Sequence, residues 1–477
     1  LFLAIVALGV SFTACNNDEI DTPDGQKGNT HVSVALKMSS SNGRSATRAL
    51  PNDYNYIGEW AGRESIQKIT VYLVDGTTVN YKTMEVGDGK PYKAMTDLDG
   101  DLRIIPQTEE AAIKTTVGQK KVYVVVNGAS EVLAHLNHSP VSAFEDAFEK
   151  VALGLANTGN ATTSETSASK IAGQVTEASV KRDLITMTNR TFGTLNVLPN
   201  IKADETIGAN VGEGAKNRVT VEVERAAARV MVTKADRETF IVPVNGQVDQ
   251  TPLGVISNVT WVLAQGENKL FVQRKADWAT PSFDYKGTNY ITEAGDRYDY
   301  SGLFKSYVAP QGFGGISVAT YADYSNAVSN PNAGAIGVKS LDGEFILPNT
   351  HFVASTKAAS GFTKGNTAYV LVRAHFAPAD IAYADGGSYV NGADFYVGAN
   401  GKFYTTAANS QDPEKGGVAG QTAAKYVGGK VLYYAWVNPD LNDAKDDWIN
   451  SPVLRNNIYH IHITGFKNLG TNWNPLF

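Results

Sequence analysis

The side chains that could do chemistry are few, and the clearest of them lie near the N-terminus. Cys15 is the only cysteine among 477 residues, and it follows an apolar run at 1–10 and the residues Phe-Thr-Ala at 12–14. Small residues before a cysteine, after an apolar run, are typical of export signals in which that cysteine is acylated. We therefore predict lipidation at Cys15, and a single thiol excludes an intrachain disulfide.

The apolar leader fits a lipoprotein signal peptide over residues 1–14. It begins with Leu1 and has no charged segment before the apolar run, so we expect the N-terminus to be incomplete. Residues 16–21 are polar and acidic, which suits a solvated tether after the acylated cysteine.

A short strand and two arginines follow the tether. Val32, Val34, Leu36 and Met38 alternate with Ser33, Ala35 and Lys37. This period of two predicts a half-buried strand. Arg44 and Arg48 follow in a small, polar segment that a trypsin-like protease could enter. We predict cleavage between Arg48 and Ala49, with Arg44 as the less favoured alternative.

Two other groups could hold a metal ion, but a simpler interpretation is favoured for each. His460 and His462 would point to the same face of a strand, yet the spacing suggests no third ligand, which favours a hydrogen-bonded strand face. Asp97, Asp99 and Asp101 alternate like the start of a calcium loop. The glycine stands at the fourth position instead of the sixth and no glutamate stands at the twelfth, which favours a turn. We expect no metal site and no cofactor.

No motif in the chain marks an enzyme. There is no Gly-x-Ser-x-Gly elbow and no phosphate-binding loop, and the paired carboxylates Asp446 and Asp447 lie in a polar segment. Tyr54, Tyr56 and Trp60 could stack on sugars, although aromatic residues that attach the first strand to the core are the favoured interpretation. We expect no catalytic residues.

Composition narrows the class of protein further. The net charge of −6 offers no basic surface for phosphates, so nucleic acid is not an expected partner. Beyond the leader no apolar run approaches the roughly 20 residues of a membrane helix. A hydrophobic content of 43% is enough for two or three packed domains.

The body of the chain predicts an all-β protein. Short β-branched and aromatic segments, such as 69–73 and 122–126, are separated by Gly, Asn, Asp and Pro. One helix is predicted near 143–155, where Phe144, Phe148, Val151 and Leu155 share a face. We place the start of a second domain at residue 217, before a strand that continues from 219 to 232.

Seven segments, read in order, resemble a known family. They are NYIGEWAG at 55–62, KVYVVVN at 121–127, VEVERAAARV at 221–230, FILPNTH at 345–351, KGNTAYVLVR at 364–373, KVLYYAWVN at 430–438 and NNIYHIH at 456–462. Together they resemble the type V pilin family, and within it the major subunit of the short fimbriae of Porphyromonas-type Bacteroidales.

The resemblance implies a fold, a route to the cell surface and a set of partners. It implies two transthyretin-like β-sandwich domains, at 49–216 and 217–477, after an acylated propeptide at 15–48. It also implies export to the outer membrane as a lipoprotein, trimming after an arginine, and assembly into surface fimbriae by donated strands. The implied partners are other copies of the chain, accessory fimbrial subunits, and receptors on host or bacterial surfaces.

The strand at 32–38 would then complete an open sheet edge until trimming removes it. Members of the family usually continue into a final donor strand, whereas nothing after Leu469 alternates for the needed length. We therefore expect this chain to accept a strand without donating one, as a clipped sequence or a terminal or accessory subunit would. A glycan-binding surface lipoprotein that keeps its lipid is the alternative from another class, and a surface hydrolase lacks the convergent acids it would need.

Overall fold

The structure is a computed structural model of the whole chain. It describes residues 29–38, 64–96, 102–154, 171–177, 180–208, 214–244, 252–267, 269–281, 298–299, 316–320, 343–351, 361–439 and 451–472. Among these residues no helix is long and apolar enough to cross a membrane. The predicted sites at Cys15, Arg44, Arg48 and Ala49 lie outside the described residues. So do the aromatic residues at 54–60, the aspartates at 97–101 and the pair at 446–447.

The all-β prediction is confirmed, because strands dominate the described chain. The strands of the first half are β1 (Thr30–Met38), β2 (Lys68–Val74), β3 (Val79–Glu85), β4 (Tyr92–Thr96), β5 (Leu102–Pro106), β6 (Ile113–Thr115), β7 (Gly118–Val126), β8 (Ala152–Gly154), β9 (Ala172–Glu177), β10 (Val180–Ile185), β11 (Met187–Asn189), β12 (Gly193–Val197) and β13 (Arg218–Arg225).

The second half continues the same pattern of short strands. They are β14 (Ala228–Lys234), β15 (Phe240–Val242), β16 (Gly254–Ala264), β17 (Gly266–Glu267), β18 (Lys269–Phe271), β19 (Tyr298–Asp299), β20 (Ile316–Ser317), β21 (Ala319–Thr320), β22 (Glu344–Ile346), β23 (Tyr369–Pro378), β24 (Phe395–Gly398), β25 (Phe403–Tyr404), β26 (Ala423–Tyr426), β27 (Lys430–Trp436), β28 (Ile458–Ile463) and β29 (Thr471–Asn472). The α-helices are α1 (Ser130–Asn137), α2 (Phe144–Lys150), α3 (Ala203–Ile207) and α4 (Ala407–Gln411).

The predicted helix near 143–155 is present but shorter. It is α2, which ends at Lys150 because Val151 turns to extended φ and ψ angles of −57° and 123° and β8 follows. Two residues of its predicted apolar face, Phe144 and Phe148, are fully buried, and their rings lie 5.5 and 4.9 Å from that of Tyr123. Val151 follows the helix, and Leu155 lies outside the described residues. The residues before α2 form a 3-10 turn, and no side chain caps the start of the helix.

Strands of the first half form one ten-stranded sheet. Its order is β3-β2-β7-β11-β13-β1-β5-β4, with β12 beside β7 and β6 beside β1. Apolar residues of these strands and of α1 and α2 form one core. We call this assembly, β1 to β13, the first unit.

The second half builds a four-stranded sheet around β14 and a six-stranded sheet in the order β15-β16-β23-β27-β29, with β20 beside β16. A second core contains Trp261, Phe376 and Phe395. We call this assembly, β14 to β29, the second unit.

In both units the first strand pairs in parallel with a strand from the end of that unit: β1 with β13, and β14 with β28.

The sheets do not divide at residue 217, where we expected the second domain to begin. β13 pairs with β1 and β11, so the strand that the sequence assigned to the second domain is hydrogen-bonded into the first unit. The expected continuous strand from 219 to 232 is two strands, because Ala226 and Ala227 separate β13 from β14 and the two belong to different sheets. Only Ala226 and Ala227 stand between the two strands, with no Gly or Pro, so the sequence does not mark the break.

A buried ion pair and a buried hydrogen bond join the two units at that break, beside a second ion pair within the first unit. The Nε of Arg225 donates to Glu64 Oε1 over 2.7 Å, and its Nη1 donates to Asn456 Oδ1 over 2.8 Å. Four residues farther on, Arg229 Nη1 donates to Asp183 Oδ2 over 2.9 Å, and both of these side chains are 1% exposed. The ends of β13 and β14 are therefore fixed to the first unit by Glu64 and Asp183.

A segment from the second half also completes the first core. Leu270 and Val272 are buried in it, and β18 pairs with β8. The Arg455 guanidinium donates to the carbonyl oxygens of Phe271 and Val272 over 2.6 and 2.8 Å, and burial lowers its pKa to about 10, so that it stays charged at neutral pH. The first unit is thus complete only with residues 269–273 in place.

Replacing Asp183 with Asn should strongly destabilise the protein. The substitution leaves the buried Arg229 guanidinium without its anionic partner, and breaking a buried ion pair in this way typically lowers the free energy of unfolding by about 3–5 kcal/mol. Urea unfolding measures the change. The matched control is Asp146→Asn, which removes an ion pair to Lys150 whose side chains are 63% and 67% exposed. The control should change stability by less than about 1 kcal/mol, and equal effects of the two substitutions would contradict the assignment.

Candidate functional site

The first strand, β1, lies inside the ten-stranded sheet and has neighbours on both sides. On one side it pairs in parallel with β13, from Ser33 opposite Arg218 to Met38 opposite Val223. It also pairs antiparallel with β5 at Leu36 and with β6 at Thr30 to Val32. Its main chain therefore contributes to the sheet along its whole length, and β1 is no edge strand.

The apolar face predicted for this strand is fully buried. The exposed fractions of Val32, Val34, Leu36 and Met38 are 0%, 0%, 0% and 3%. At roughly 1.5–3 kcal/mol for each fully buried side chain, their contribution has an upper estimate on the order of 10 kcal/mol. A strand held this strongly does not leave a folded protein quickly.

The opposite face differs from the prediction of a half-buried strand. Ser33 and Ala35 are also buried, and Ser33 Oγ donates to the carbonyl oxygen of Thr206 in α3 over 2.7 Å. Arg218 Nε donates to the same hydroxyl over 3.0 Å. The contacts with α3 and Arg218 cover this face, and only His31 and Lys37 on β1 are partly exposed. Alternation in the sequence revealed one buried face and missed the second.

Hydrogen bonds from Asn217 and Thr30 hold the start of β1. Asn217 Nδ2 donates to the carbonyl oxygen of His31 over 3.1 Å and to that of Leu198 over 2.9 Å. Thr30 Oγ1 donates to Leu198 O over 2.6 Å and accepts from Ile201 N over 3.1 Å. Asn217 has a φ of 46°, in the left-handed region that Asn tolerates better than most residues.

Sequence analysis did not identify these polar residues. Asn217 and Thr30 are 187 positions apart and have no motif in common. The available signal was an asparagine directly before a strand, which is too common to be informative by itself.

The ionisable groups beside β1 are unsuited to acid–base chemistry. Burial raises the pKa of the Tyr92 hydroxyl above its ordinary value, so it stays neutral. Burial also lowers the pKa of Arg218, and the nearby Tyr92 partly offsets this shift. Tyr92 therefore stays neutral and Arg218 charged at neutral pH, and around β1 the site presents main-chain groups and an apolar face.

The two histidines of β28 lie together, as their spacing predicted. His460 Nε2 and His462 Nδ1 are 2.8 and 2.9 Å from the same hydroxyl oxygen, Thr233 Oγ1. Burial lowers the pKa of His462 and favours its neutral form. Within the described ranges no cluster of three or more His, Cys, Asp or Glu side chains could hold a metal ion. The hydrogen-bonded strand face is therefore the arrangement observed.

Comparison with known proteins supports a fimbrial subunit family. Residues 424–475 match the family described as "Major fimbrial subunit protein type IV, Fimbrillin, C-terminal". Two versions of the minor fimbrium subunit Mfa1 of Porphyromonas gingivalis are 29% and 28% identical to the chain, and each match covers 100% of this chain and 87% of the relative. The resemblance to fimbrial subunits that the seven segments suggested is therefore also found in whole-chain comparison with named fimbrial proteins.

The chain also aligns with solved structures, one of which is a fimbrilin. The fimbrilin FimA of Porphyromonas gingivalis W83 is 14% identical, with 94% of each chain covered and a TM-score of 0.39.

Asn217→Ala should loosen β1 specifically. The substitution removes two hydrogen bonds to partly buried carbonyl oxygens, each contributing about 0.5–1.5 kcal/mol to stability. Hydrogen exchange of the β1 amides in the full chain should therefore become faster. Asn409→Ala is the matched control, since the Asn409 side chain donates to Asp385 and Thr405 in the second unit. If both variants accelerate exchange in β1 equally, Asn217 has no specific part in holding the strand.

Proposed function

We propose that this chain is a structural subunit of surface fimbriae, and that β1 temporarily occupies a position that a strand from another subunit takes in the polymer. One observation carries this proposal. An N-terminal strand, separated from the rest of the first unit by a segment with two arginines, fills an inner position of the main sheet. Cleavage at one of these arginines would separate the strand from the body and so allow another strand to replace it.

Removal of β1 would leave a gap that only another strand could fill. Neighbouring strands lie about 4.8 Å apart, so β13 and β5 would stand roughly two spacings from each other, too far for direct hydrogen bonds. The N–H and C=O groups that faced β1 would lose their partners, and unpaired buried main-chain groups are strongly unfavourable. An incoming strand with alternating apolar residues would satisfy both requirements.

Two processing steps in the N-terminal leader, acylation and cleavage, would precede this exchange. Acylation of Cys15 would hold the precursor at the outer membrane, because each buried methylene contributes about 0.8 kcal/mol. Cleavage after Arg48 would separate lipid, tether and β1 from the body, and Arg44 is the less favoured site. The mature chain would begin at Ala49 and consist of two β-sandwich domains of transthyretin type. The proposed boundary between them is 226–227, which the pairing of β13 with β1 and of β14 with β28 supports.

The role that follows is mechanical and adhesive, with no enzymatic activity. The likeness to the subunit Mfa1 supports a location in a surface fimbrium, with other copies of the chain and accessory fimbrial subunits as partners. Adhesion to host or bacterial surfaces and biofilm formation would follow from that location. Whether the chain stands in the shaft or at an end of the fimbria depends on whether it also donates a strand.

Cys15→Ala should abolish lipidation, because it removes the only thiol in the chain. Cells given a radioactive fatty acid should label the wild-type precursor and leave the variant unlabelled. The variant should also stay short of the outer surface, since the leader carries no other acyl acceptor of this kind. Absence of label from the wild-type precursor would overturn the lipoprotein step without affecting the exchange at β1.

Trimming with an arginine-specific protease should expose a site that binds β1 as a separate peptide. The full chain, cut after Arg48, should show Ala49 as its new N-terminus and should exchange its noncovalent β1 for a labelled peptide of residues 29–38. A peptide carrying Val34→Asp and Leu36→Asp is the control. It should not bind, because it would bury two carboxylates in the core.

Two results would contradict the proposal. In one, the cut protein would retain the original β1 and take up no labelled peptide even after long incubation with mild denaturant. In the other, the control peptide would bind as well as the native sequence, which would show that binding does not depend on the alternating apolar face.

A further inference from the structure

The apolar face of β1 is regular and does not fix the register of a strand by itself. Buried apolar side chains recur at every second position, at Val32, Val34, Leu36 and Met38. A slip of one residue would turn this face away from the core. A slip of two residues would again place apolar side chains at most of the same positions, so another feature must exclude it.

Two buried hydroxyl groups near the start of β1 interrupt this regularity. The exposed fractions of Thr30 and Ser33 are both 0%. Because the two residues are three positions apart on a strand, their side chains point to opposite faces. A buried hydroxyl is unfavourable unless it is hydrogen-bonded. Both hydroxyls are hydrogen-bonded here, and their partners lie outside β1.

Three groups bind the hydroxyl of Thr30. Its Oγ1 donates to Leu198 O over 2.6 Å and accepts from Ile201 N over 3.1 Å and from Asn217 Nδ2 over 3.2 Å. The hydroxyl thus uses its one donor and both of its acceptor positions. An aliphatic side chain of the same size would take this acceptor away from the buried N–H of Ile201.

Two further groups bind the hydroxyl of Ser33 on the opposite face. It donates to Thr206 O over 2.7 Å and accepts from Arg218 Nε over 3.0 Å. Thr206 lies in the last turn of α3, where carbonyl groups have no partner within a helix, so a donor from β1 satisfies this one. Ser33 and Arg218 are also direct partners in the pairing of β1 with β13.

The groups that bind these hydroxyls are held together by contacts that do not involve β1. Asn217 Oδ1 accepts from Leu198 N over 2.8 Å, and Lys216 N donates to Glu205 O over 2.9 Å. The Lys216 ammonium also forms an ion pair with the Glu205 carboxylate. The arrangement would therefore persist when β1 leaves. We give the name hydroxyl clamp to the binding groups on Leu198, Ile201, Thr206, Asn217 and Arg218.

We propose that the hydroxyl clamp sets the register of the strand that fills the β1 position and selects strands with hydroxyl side chains at two positions. The inference rests on the proposed function and names the chemistry of the segment that the site accepts. That segment runs in the direction of β1. It carries one hydroxyl residue two positions before its first buried apolar residue, and a second hydroxyl residue directly after that apolar residue.

A strand slipped by two residues shows how the clamp discriminates. The slip would place Val32 at the position of Thr30, and Ala35 at the position of Ser33. Neither of these side chains has a hydroxyl group, so the clamp would lose its partners while the apolar face stayed filled. Buried donors and acceptors without partners are unfavourable, and the native register is favoured for this reason.

Disulfide trapping in the trimmed protein measures the register. Lys37 lies opposite Glu222 in the observed pairing, and a slip of two residues would bring it opposite Thr220. Neighbouring strands lie about 4.8 Å apart, which is within the range that a disulfide spans. Thr220 is exposed and Glu222 is partly exposed, so cysteine at either position should leave the fold intact. All proteins also carry Cys15→Ser, so that the introduced thiol is the only one in the chain.

The basic peptide has the sequence of residues 29–38 with Lys37→Cys. A second Lys-Met pair follows Met38, so that the apolar face is filled in both registers. With its two hydroxyls in place, this peptide should form disulfides with the protein carrying Glu222→Cys and almost none with the protein carrying Thr220→Cys.

Removing the hydroxyls should weaken the choice of register. A peptide with Thr30→Val and Ser33→Ala should raise the ratio of slipped to native disulfides at least tenfold, because the clamp is unsatisfied in both registers. A tenfold change in this ratio corresponds to about 1.4 kcal/mol.

A composition-matched peptide moves the hydroxyls by two positions. It carries Thr30→Val, Val32→Thr, Ser33→Ala and Ala35→Ser, so its amino-acid content equals that of the basic peptide. In the slipped register its hydroxyls would reach the clamp. It should therefore form disulfides mainly with the protein carrying Thr220→Cys.

The outcomes separate the clamp from the function on which it rests. A change of disulfide partner with the composition-matched peptide supports the clamp. If all three peptides are trapped in the same register, the clamp is overturned and the proposed exchange stands, because each peptide has still entered the site. Failure of the native peptide 29–38 to enter the trimmed protein overturns the proposed function, and the clamp with it.

Discussion

The parallel pairing of β1 with β13 is the interaction on which the rest of the structure depends. Six residue pairs join two strands whose positions in the sequence differ by 185 residues, from Ser33 and Arg218 onward. Parallel strands require a long connection, and here that connection is the rest of the first unit. The first unit is therefore complete only when the two ends of its chain lie side by side, and this makes its N-terminal strand replaceable in principle by any strand with the same pattern.

β13 also links this site to the second unit. Its first six residues pair with β1, while its last two, Glu224 and Arg225, bond to Arg274, Glu64 and Asn456. A strand fixed in this way at the junction keeps its place when its neighbour changes. Buried charges of this kind contribute little net stability compared with apolar packing, but losing one partner is strongly unfavourable. They are therefore well suited to fix one arrangement of the two units.

The two units share one strand arrangement but differ in how the first strand is connected to the rest of the chain. Each begins with a strand that pairs in parallel with a strand from the end of that unit, β1 with β13 and β14 with β28. In the second unit the first strand follows directly from β13 through two buried alanines and carries the buried Arg229. In the first unit the corresponding strand precedes a segment with two arginines in a polar context. Under the proposed function, the same pairing is permanent in the second unit and open to exchange in the first.

The sequence by itself determined the local features of this protein. Alternation at 32–38 identified β1 and its buried face, the apolar run at 122–126 identified part of β7, and the spacing of Phe144 and Phe148 identified the buried face of α2. These features can be predicted from the sequence because side-chain periodicity depends only on the geometry of a single strand or helix. The predicted acylation and cleavage signals at Cys15 and Arg48 are likewise short and local.

Only the tertiary structure decided which strands pair and where the units meet. Burial of Ser33 depends on α3, which lies more than 160 residues away, and the hydrogen bonds of Asn217 depend on β1 and Leu198. The break at Ala226 and Ala227 was not predicted because no Gly or Pro separates β13 from β14. The carboxylates that pair with Arg225 and Arg229 lie far away in the sequence. Periodicity shows that a face is buried, whereas the element that covers it is set by contacts between distant segments, and single-sequence patterns do not carry that information.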